Sequence, residues 1–172
     1  MTMNYWEQAA YESSSTTSNG GVFHPTLYAP SSYNIMQILA QIWNRPNPQV
    51  DLGPVDMSCP IVVCDMQKPD QPIVYASEPF YELTGYTDTD VIGKNCRMLQ
   101  APGGKVKPMS ARKYVDKESI KKMRKAVEKF AELQLDVVNF KKNGEAFTNR
   151  VAIIPVQWED HSYCVGFMNQ MD

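Results

Sequence analysis

The chain has 172 residues, 43% of them hydrophobic and 10% aromatic, with a formal net charge of −2, which is an ordinary globular composition. No apolar run approaches the ~18 residues of a membrane span. The opening "MTMNYWEQAAYESSSTTSNGG" lacks the basic start and apolar core of a secretory signal and the arginines of a transit peptide, so an intracellular protein, cytoplasmic or nuclear, is expected.

Residues 1–22 are polar and Ser/Thr-rich, too poor in apolar surface to offset ordering, and are expected to be disordered. Residues 23–53 form a cap and linker. Within them Ile35, Ile38, Leu39 and Ile42 recur at helical spacing, which predicts a helix over 33–43, with Ser31 or Ser32 as N-cap and Pro46 and Pro48 as stops. A helix this short is marginal alone and must pack on the domain or on a partner. "RPNPQVDLGP" then reads as a stiff linker.

Residues 54–172 carry a mixed pattern of suitable size for one domain with a core of its own. "PIVVCDM" (60–66) and "PIVYAS" (72–77) read as buried strands. "SEPFYELTGYT" is a helix that Ser77 opens and Gly85 closes, "DTDVIG" a further helical turn and "NCRML" a short helix before a long loop. Asp116 caps "KESIKKMRKAVEKF", whose apolar positions are Ile120, Met123, Val127 and Phe130. "LQLDVVNF", the Asn143-Gly144 turn and "AFTNRVAIIPV" make a hairpin. After a turn at "QWEDH", "SYCVGFMNQ" closes the sheet. The order predicts an α+β fold: a five-stranded antiparallel sheet, helices on one face lining a pocket, and an N-terminal helical cap.

Charge is uneven: residues 105–129 hold ten Lys/Arg against three Asp/Glu. A solvated helix face and a site for a phosphate-bearing ligand both fit this segment. Nucleic acid fits poorly, because the remainder is acidic and only Tyr114 interleaves with the basic residues. Four cysteines, at 59, 64, 96 and 164, form no CxxC, and His24 and His161 lack ligand spacing, so no metal site is expected. Cys59, Cys64 and Cys164 lie in or beside strands, where a thiol is ordinarily a small buried hydrophobe. Cys96 differs, because it sits in a polar turn between Asn95 and Arg97 with neither histidine predicted nearby to act as a base.

"GKNCRMLQ" (93–100), followed by "NFKKNG" and "FTN" on consecutive strands, resembles the signature of LOV domains, the flavin-binding branch of the PAS fold, over residues 54–172. The long loop at 101–114, the "RPNPQV" linker and the "HPTLYAP" cap are similar to those of the small fungal blue-light receptors of the Vivid/Envoy type. The resemblance implies an FAD or FMN chromophore and a light-driven adduct between Cys96 and flavin C4a, which proximity serves without a depressed thiol pKa. It implies Asn139 and Asn149 on the pyrimidine edge, where amides supply donor and acceptor together. Asn95 and Gln100 take the ribityl and phosphate side, and Arg97 and Arg112 the phosphate. Val62, Ile73 and Met123 would line the flavin, with Ile153 where a methionine may sit, and Cys64 would lie near the hinge between cap and core.

Two departures stand out. Met98 replaces the usual Phe. A glutamine that faces flavin N5 in the family aligns with Met168, and a different hairpin length after Trp158 would bring Gln170 there instead. The resemblance further implies a photoreceptor and not an enzyme, with light-dependent homodimerisation, a LOV-containing transcriptional regulator as partner, and neither direct nucleic-acid nor membrane binding. A thiol redox sensor acting through cysteine oxidation or a disulfide-linked dimer, a flavin-free interaction module and a flavin oxidoreductase are the alternatives.

Overall fold

The computed structural model describes residues 33–55 and 58–171. The expectation of disorder over 1–22, the Ser31 or Ser32 cap and His24 lie outside the described residues. Helix α1 (Ile35–Trp43) is capped instead by Asn34, whose side chain accepts from Gln37 N. Strands β1 (Ile61–Asp65), β2 (Ile73–Ala76), β3 (Leu133–Phe140), β4 (Ala146–Trp158) and β5 (His161–Met171) form one antiparallel sheet in the order β2-β1-β5-β4-β3. Between β2 and β3 run α2 (Glu78–Thr84), α3 (Asp88–Val91), two 3-10 turns (Cys96–Gln100 and Pro102–Gly104) and α4 (Lys117–Glu128).

Alternation along the strands sends successive side chains to opposite faces, and each face has its own core. On one face Ile35, Ile38, Leu39 and Ile42 of α1 are buried against Val63, Ala152, Ile154, Val165 and Phe167. Each such side chain contributes about 1.5–3 kcal/mol when fully buried, so the apolar stripe on α1 is what holds the cap down. On the other face Val62, Ile73, Phe80, Val91, Met98, Leu99, Phe147 and Met168 form a second cluster under the helices. Met98 therefore fills a core position, as an adaptable thioether can.

Several local signals work as the sequence implies. Gly85 closes α2 with φ 71°, the left-handed conformation that suits glycine. Asp116 Oδ1 accepts from Ser119 N and starts α4. Ser77 stands at the N-cap of α2, but its hydroxyl is committed elsewhere: it donates to Cys59 O at 3.1 Å and accepts from Ile61 N at 2.8 Å, tying α2 to the entry of β1. The last turn is tighter than "QWEDH" implied. Trp158 pairs with His161, and only Glu159 and Asp160 lie between, with Glu159 at φ 53°.

The linker is fixed by ion pairing as well as by proline. Arg45 Nε donates to Glu132 Oε1 at 2.8 Å, and its other nitrogens donate to Ile42 O at 2.7 Å and Val50 O at 2.6 Å. Glu132 Oε2 accepts from Gln49 N and Val50 N. The residue just before β3 thus anchors the exit from the cap.

Candidate functional site: a thiol- and amide-lined cavity

The apolar side of α4 is only half buried by protein: Ile120, Met123 and Val127 are partly exposed, and Phe130 lies at the surface. The cause is a cavity of about 560 Å³ between α4, the Cys96–Gln100 turn and the sheet, within the range of small-molecule and cofactor sites. Val62, Cys64, Asn95, Cys96, Arg97, Gln100, Arg112, Met123, Asn139, Asn149 and Met168 all line it. Sequence motifs from six elements thus converge on one cavity.

Ile153 lines it as well, whereas Ile73 and Gln170 do not. Gln170 does not reach the cavity. The two-residue turn fixes the β4–β5 register with Met168 opposite Val151 and Gln170 opposite Asn149. Gln170 is exposed near the end of β5, while Met168 is buried and among the lining residues. Ile73 is fully buried in the helix-side cluster and is not among the lining residues. Cys64 is not at a hinge under the cap. It faces the cavity, and Cys59 is the cysteine packed against the cap-side core.

Two asparagines form the polar wall. Asn139 and Asn149 are 5% and 1% exposed, on paired strands β3 and β4. Asn149 Nδ2 donates to Asn139 Oδ1 at 2.8 Å, Asn139 Nδ2 donates to Val138 O at 3.0 Å, and Asn149 Oδ1 accepts from Asn169 N at 3.2 Å. Each amide nitrogen keeps a second hydrogen and each oxygen a second lone pair, so the wall offers alternating donors and acceptors to a planar heterocycle.

At the mouth the groups are cationic. Arg97 forks onto Asp70, with NH1 2.6 Å from Oδ2 and NH2 2.5 Å from Oδ1. Arg112 Nε donates to Gln100 Oε1 at 2.9 Å, and its NH1 reaches the Lys107 and Ser110 carbonyls and Ser110 Oγ. Burial first, then the charges of Arg97 and Arg124, hold Arg112 below the ordinary arginine value. Arg124 and Asp70 are members of this rim that sequence reasoning missed. The signal for Arg124 was available, since it follows Met123 on the side of α4 that carries Ile120 and Val127. Asn95 is committed to local structure, because its Oδ1 caps the turn by accepting from Arg97 N and its Nδ2 donates to Asp70 O at 2.6 Å.

The cavity floor holds three thiols. Cys64 and Cys164 are directly opposite in the β1–β5 ladder, and Cys64 Sγ lies 3.4 Å from Cys96 Sγ. The two thiols share a hydrogen bond in which either sulfur can donate. That hydrogen bond, helped by the Arg97 charge and opposed by burial, holds Cys96 below the ordinary thiol value. The same hydrogen bond, reinforced by burial, pushes Cys64 well up. Burial, with the Cys96 charge second, pushes Cys164 up to about 12. Among the described residues no group of three or more His, Cys, Asp and Glu side chains is placed to hold a metal ion, and no helix is long and apolar enough to cross a membrane.

The donor set suits a flavin: an apolar slot for a tricyclic ring, paired amides at its polar edge, a thiol on its floor, and arginines where a phosphate tail emerges.

Residues 58–171 match the PAS domain family. The chain is 40% identical over 146 residues to the blue light receptor lreA of Aspergillus flavus, covering 84% of this chain but only 17% of that receptor. Its fold superposes on the light-state dimer structure of the fungal blue-light photoreceptor Vivid with a TM-score of 0.78 and 56% identity, over 84% of this chain and 99% of that one. A fungal LOV domain photoreceptor, linked to a pathway integrating blue light and oxidative stress, matches with a TM-score of 0.73 and 40% identity, over 86% of this chain and 98% of that one. The chain belongs to the PAS domain family, in the branch of fungal LOV blue-light receptors that includes Vivid.

Proposed function

We propose that the chain is a blue-light receptor that holds FAD or FMN in the cavity and reads light without turning over a substrate. The observation that carries this is the placement of the partly exposed Cys96 thiol on the floor of a cavity walled by the Asn139–Asn149 amide pair. A flavin bound there would supply a blue-absorbing, photo-oxidising ring, and Cys96 is the thiol this chain presents to it.

The chain's own residues then define the rest. Cys96 gives the sulfur and its proton, and needs no base beside it. Asn139 and Asn149 hold the heterocycle edge, and Gln100, Arg97 and Arg112 hold the side chain and phosphate. Arg97 exchanges Asp70 for that phosphate, or shares it with both. An arginine–phosphate hydrogen bond is charge-assisted and contributes about 1.5–3 kcal/mol. The long 101–114 loop leaves space for a second nucleotide half, which favours FAD.

Met168 has no hydrogen to donate, so the state of the ring cannot be read by an amide at that position. β1 is the alternative route. When Cys96 is drawn from Cys64, the strand loses a contact at a residue flanked by Val63, which packs under α1, and Asp65, which accepts from Tyr33 OH just before α1. The cap repacks, exposing an apolar surface that Trp43, already 60% exposed, extends. The surface pairs with a second copy or with a LOV-containing transcriptional regulator. Size-exclusion chromatography in darkness and under blue light tests the output. A larger species in the light that Cys96→Ala abolishes is expected, and an unchanged radius in the light overturns cap release.

A further inference from the structure

We propose that Cys64 and Cys96 form an oxidisable dithiol, which a small hydroperoxide closes to an intramolecular disulfide in the dark. The sulfurs are 3.4 Å apart, so reaching the roughly 2.05 Å of a disulfide requires an approach of little more than about 1 Å. The backbone on the Cys64 side has slack, because the β1–β2 register breaks between Val63 and Cys64. Cys96 opens its 3-10 turn, next to an extended Asn95. Both thiols line the cavity and are only partly buried, so neither sulfur is sealed inside the packed core.

The environment divides the labour between the two sulfurs. Cys96, next to the Arg97 guanidinium at the cavity mouth, carries the thiolate character that reacts with a peroxide, while Cys64, on a strand with no cation beside it among the described residues, stays protonated as the resolving thiol. Cys96 sulfur attacks the peroxide O–O bond, becoming a sulfenic acid and releasing an alcohol, or water from hydrogen peroxide. Cys64 sulfur then displaces hydroxide from that sulfenic acid, and the hydroxide leaves as water with the Cys64 proton. The two thiols lose two electrons and two hydrogens, and the peroxide is reduced by the same amount. A second thiol reverses the bond by exchange.

The other two cysteines are placed for neither role. Cys164 faces Cys64 across a β-ladder, where Cβ atoms sit about 4.5–5.5 Å apart, beyond the roughly 3.8 Å mean of a disulfide. Its thiol is moreover pushed up to about 12 by burial. Cys59 lies on the cap side of the sheet. The consequence rests on the photoreceptor reading: a Cys96 tied to Cys64 has neither the sulfur nor the proton that the light reaction takes, so oxidant and light compete for one thiol.

The test uses the full chain as purified, kept dark, treated with stepwise hydrogen peroxide, quenched with N-ethylmaleimide and mapped by non-reducing peptide mass spectrometry. A Cys64–Cys96 linked peptide in a protein that stays monomeric on a non-reducing gel is expected. Cys59 and Cys164 should remain fully alkylated, and dithiothreitol should reverse the link. In Cys64→Ser the link is absent and dimedone traps Cys96 as its sulfenic acid. Cys59→Ser should leave the link unchanged. A cross-link between chains, a link to Cys164, or equal persistence of Cys96 sulfenic acid with and without Cys64 overturns the dithiol. In parallel, the light-bleachable fraction of absorbance should fall in step with the cross-link. The link forming in a protein that shows no light-bleachable absorbance before any peroxide is added supports the dithiol and overturns the photoreceptor reading. Full bleaching with no link at any peroxide dose overturns the dithiol alone.

Discussion

The two faces of the sheet are built from alternate residues of the same strands, yet they obey different rules. On the cap face Val63, Ile154, Val165 and the α1 residues Ile35 and Ile38 are almost wholly excluded from solvent. On the cavity face Cys64, Asn149, Val151, Ile153 and Cys164 come from neighbouring positions, and thiols and amides stand among the aliphatic side chains. The cap face is optimised for burial, and the cavity face leaves polar valences open. One residue of register separates them, so a disturbance at Cys64 is one peptide unit from Val63 and from Asp65. The contrast teaches that sensing and output need no long relay here, because the sheet is the only layer between them.

The sharpest way to break the contrast is chemical. Cys96→Ala should abolish every light-dependent absorbance change while leaving flavin bound, which a difference spectrum checks. Ile38→Ala attacks only the cap face. It should cost about 2–5 kcal/mol in urea unfolding and leave the flavin spectrum unchanged.

Asp65 lies between the two regimes. Its side chain is fully buried at the end of β1, where Oδ1 accepts from Gln67 N and contacts His161 Nε2 at 2.7 Å, and Oδ2 accepts from Tyr33 OH. Burial opposes its charge, but the His161 hydrogen bond and then the Gln67 N–H outweigh burial and hold the carboxyl below its usual value. Because the folded value is depressed, the stabilisation is present above the unfolded value of about 4 and is lost as pH falls through the folded one. Asp65→Asn should therefore cost about 1.5–3 kcal/mol at neutral pH and flatten the acid limb of a urea-midpoint-versus-pH curve below about pH 4. The smallest effect belongs to Arg150→Ala. Its pairing with Asp136 across β3 and β4 is exposed on both sides, a setting where ion pairs contribute little, and the urea midpoint should not move.

Much of this was legible in the sequence, and unevenly. Period-2 and period-3.6 patterns placed β3 at its observed ends and α1 within two residues, because those signals are local. The family motifs brought Cys96, Asn139, Asn149 and Gln100 to one cavity. What escaped was set by contacts distant in sequence. Asp70 meets Arg97 across 27 positions, and Arg45 meets Glu132 across 87, and no local pattern announces either pair. The choice between Met168 and Gln170 hinged on a turn length that the positive φ of Glu159 decides. Ile73 lies outside the lining and Cys64 within it for a related reason: a strand residue's neighbours across the sheet depend on register, and β1–β2 slips at Cys64.

The most direct test of the central claim is an absorption spectrum of the purified full chain before and after blue light, followed through recovery in the dark. The account predicts a yellow protein whose blue band bleaches on illumination and returns in darkness, with no bleaching in Cys96→Ala. A colourless protein, or a flavin band that illumination leaves unchanged in the unmodified chain with its thiols reduced, would contradict it.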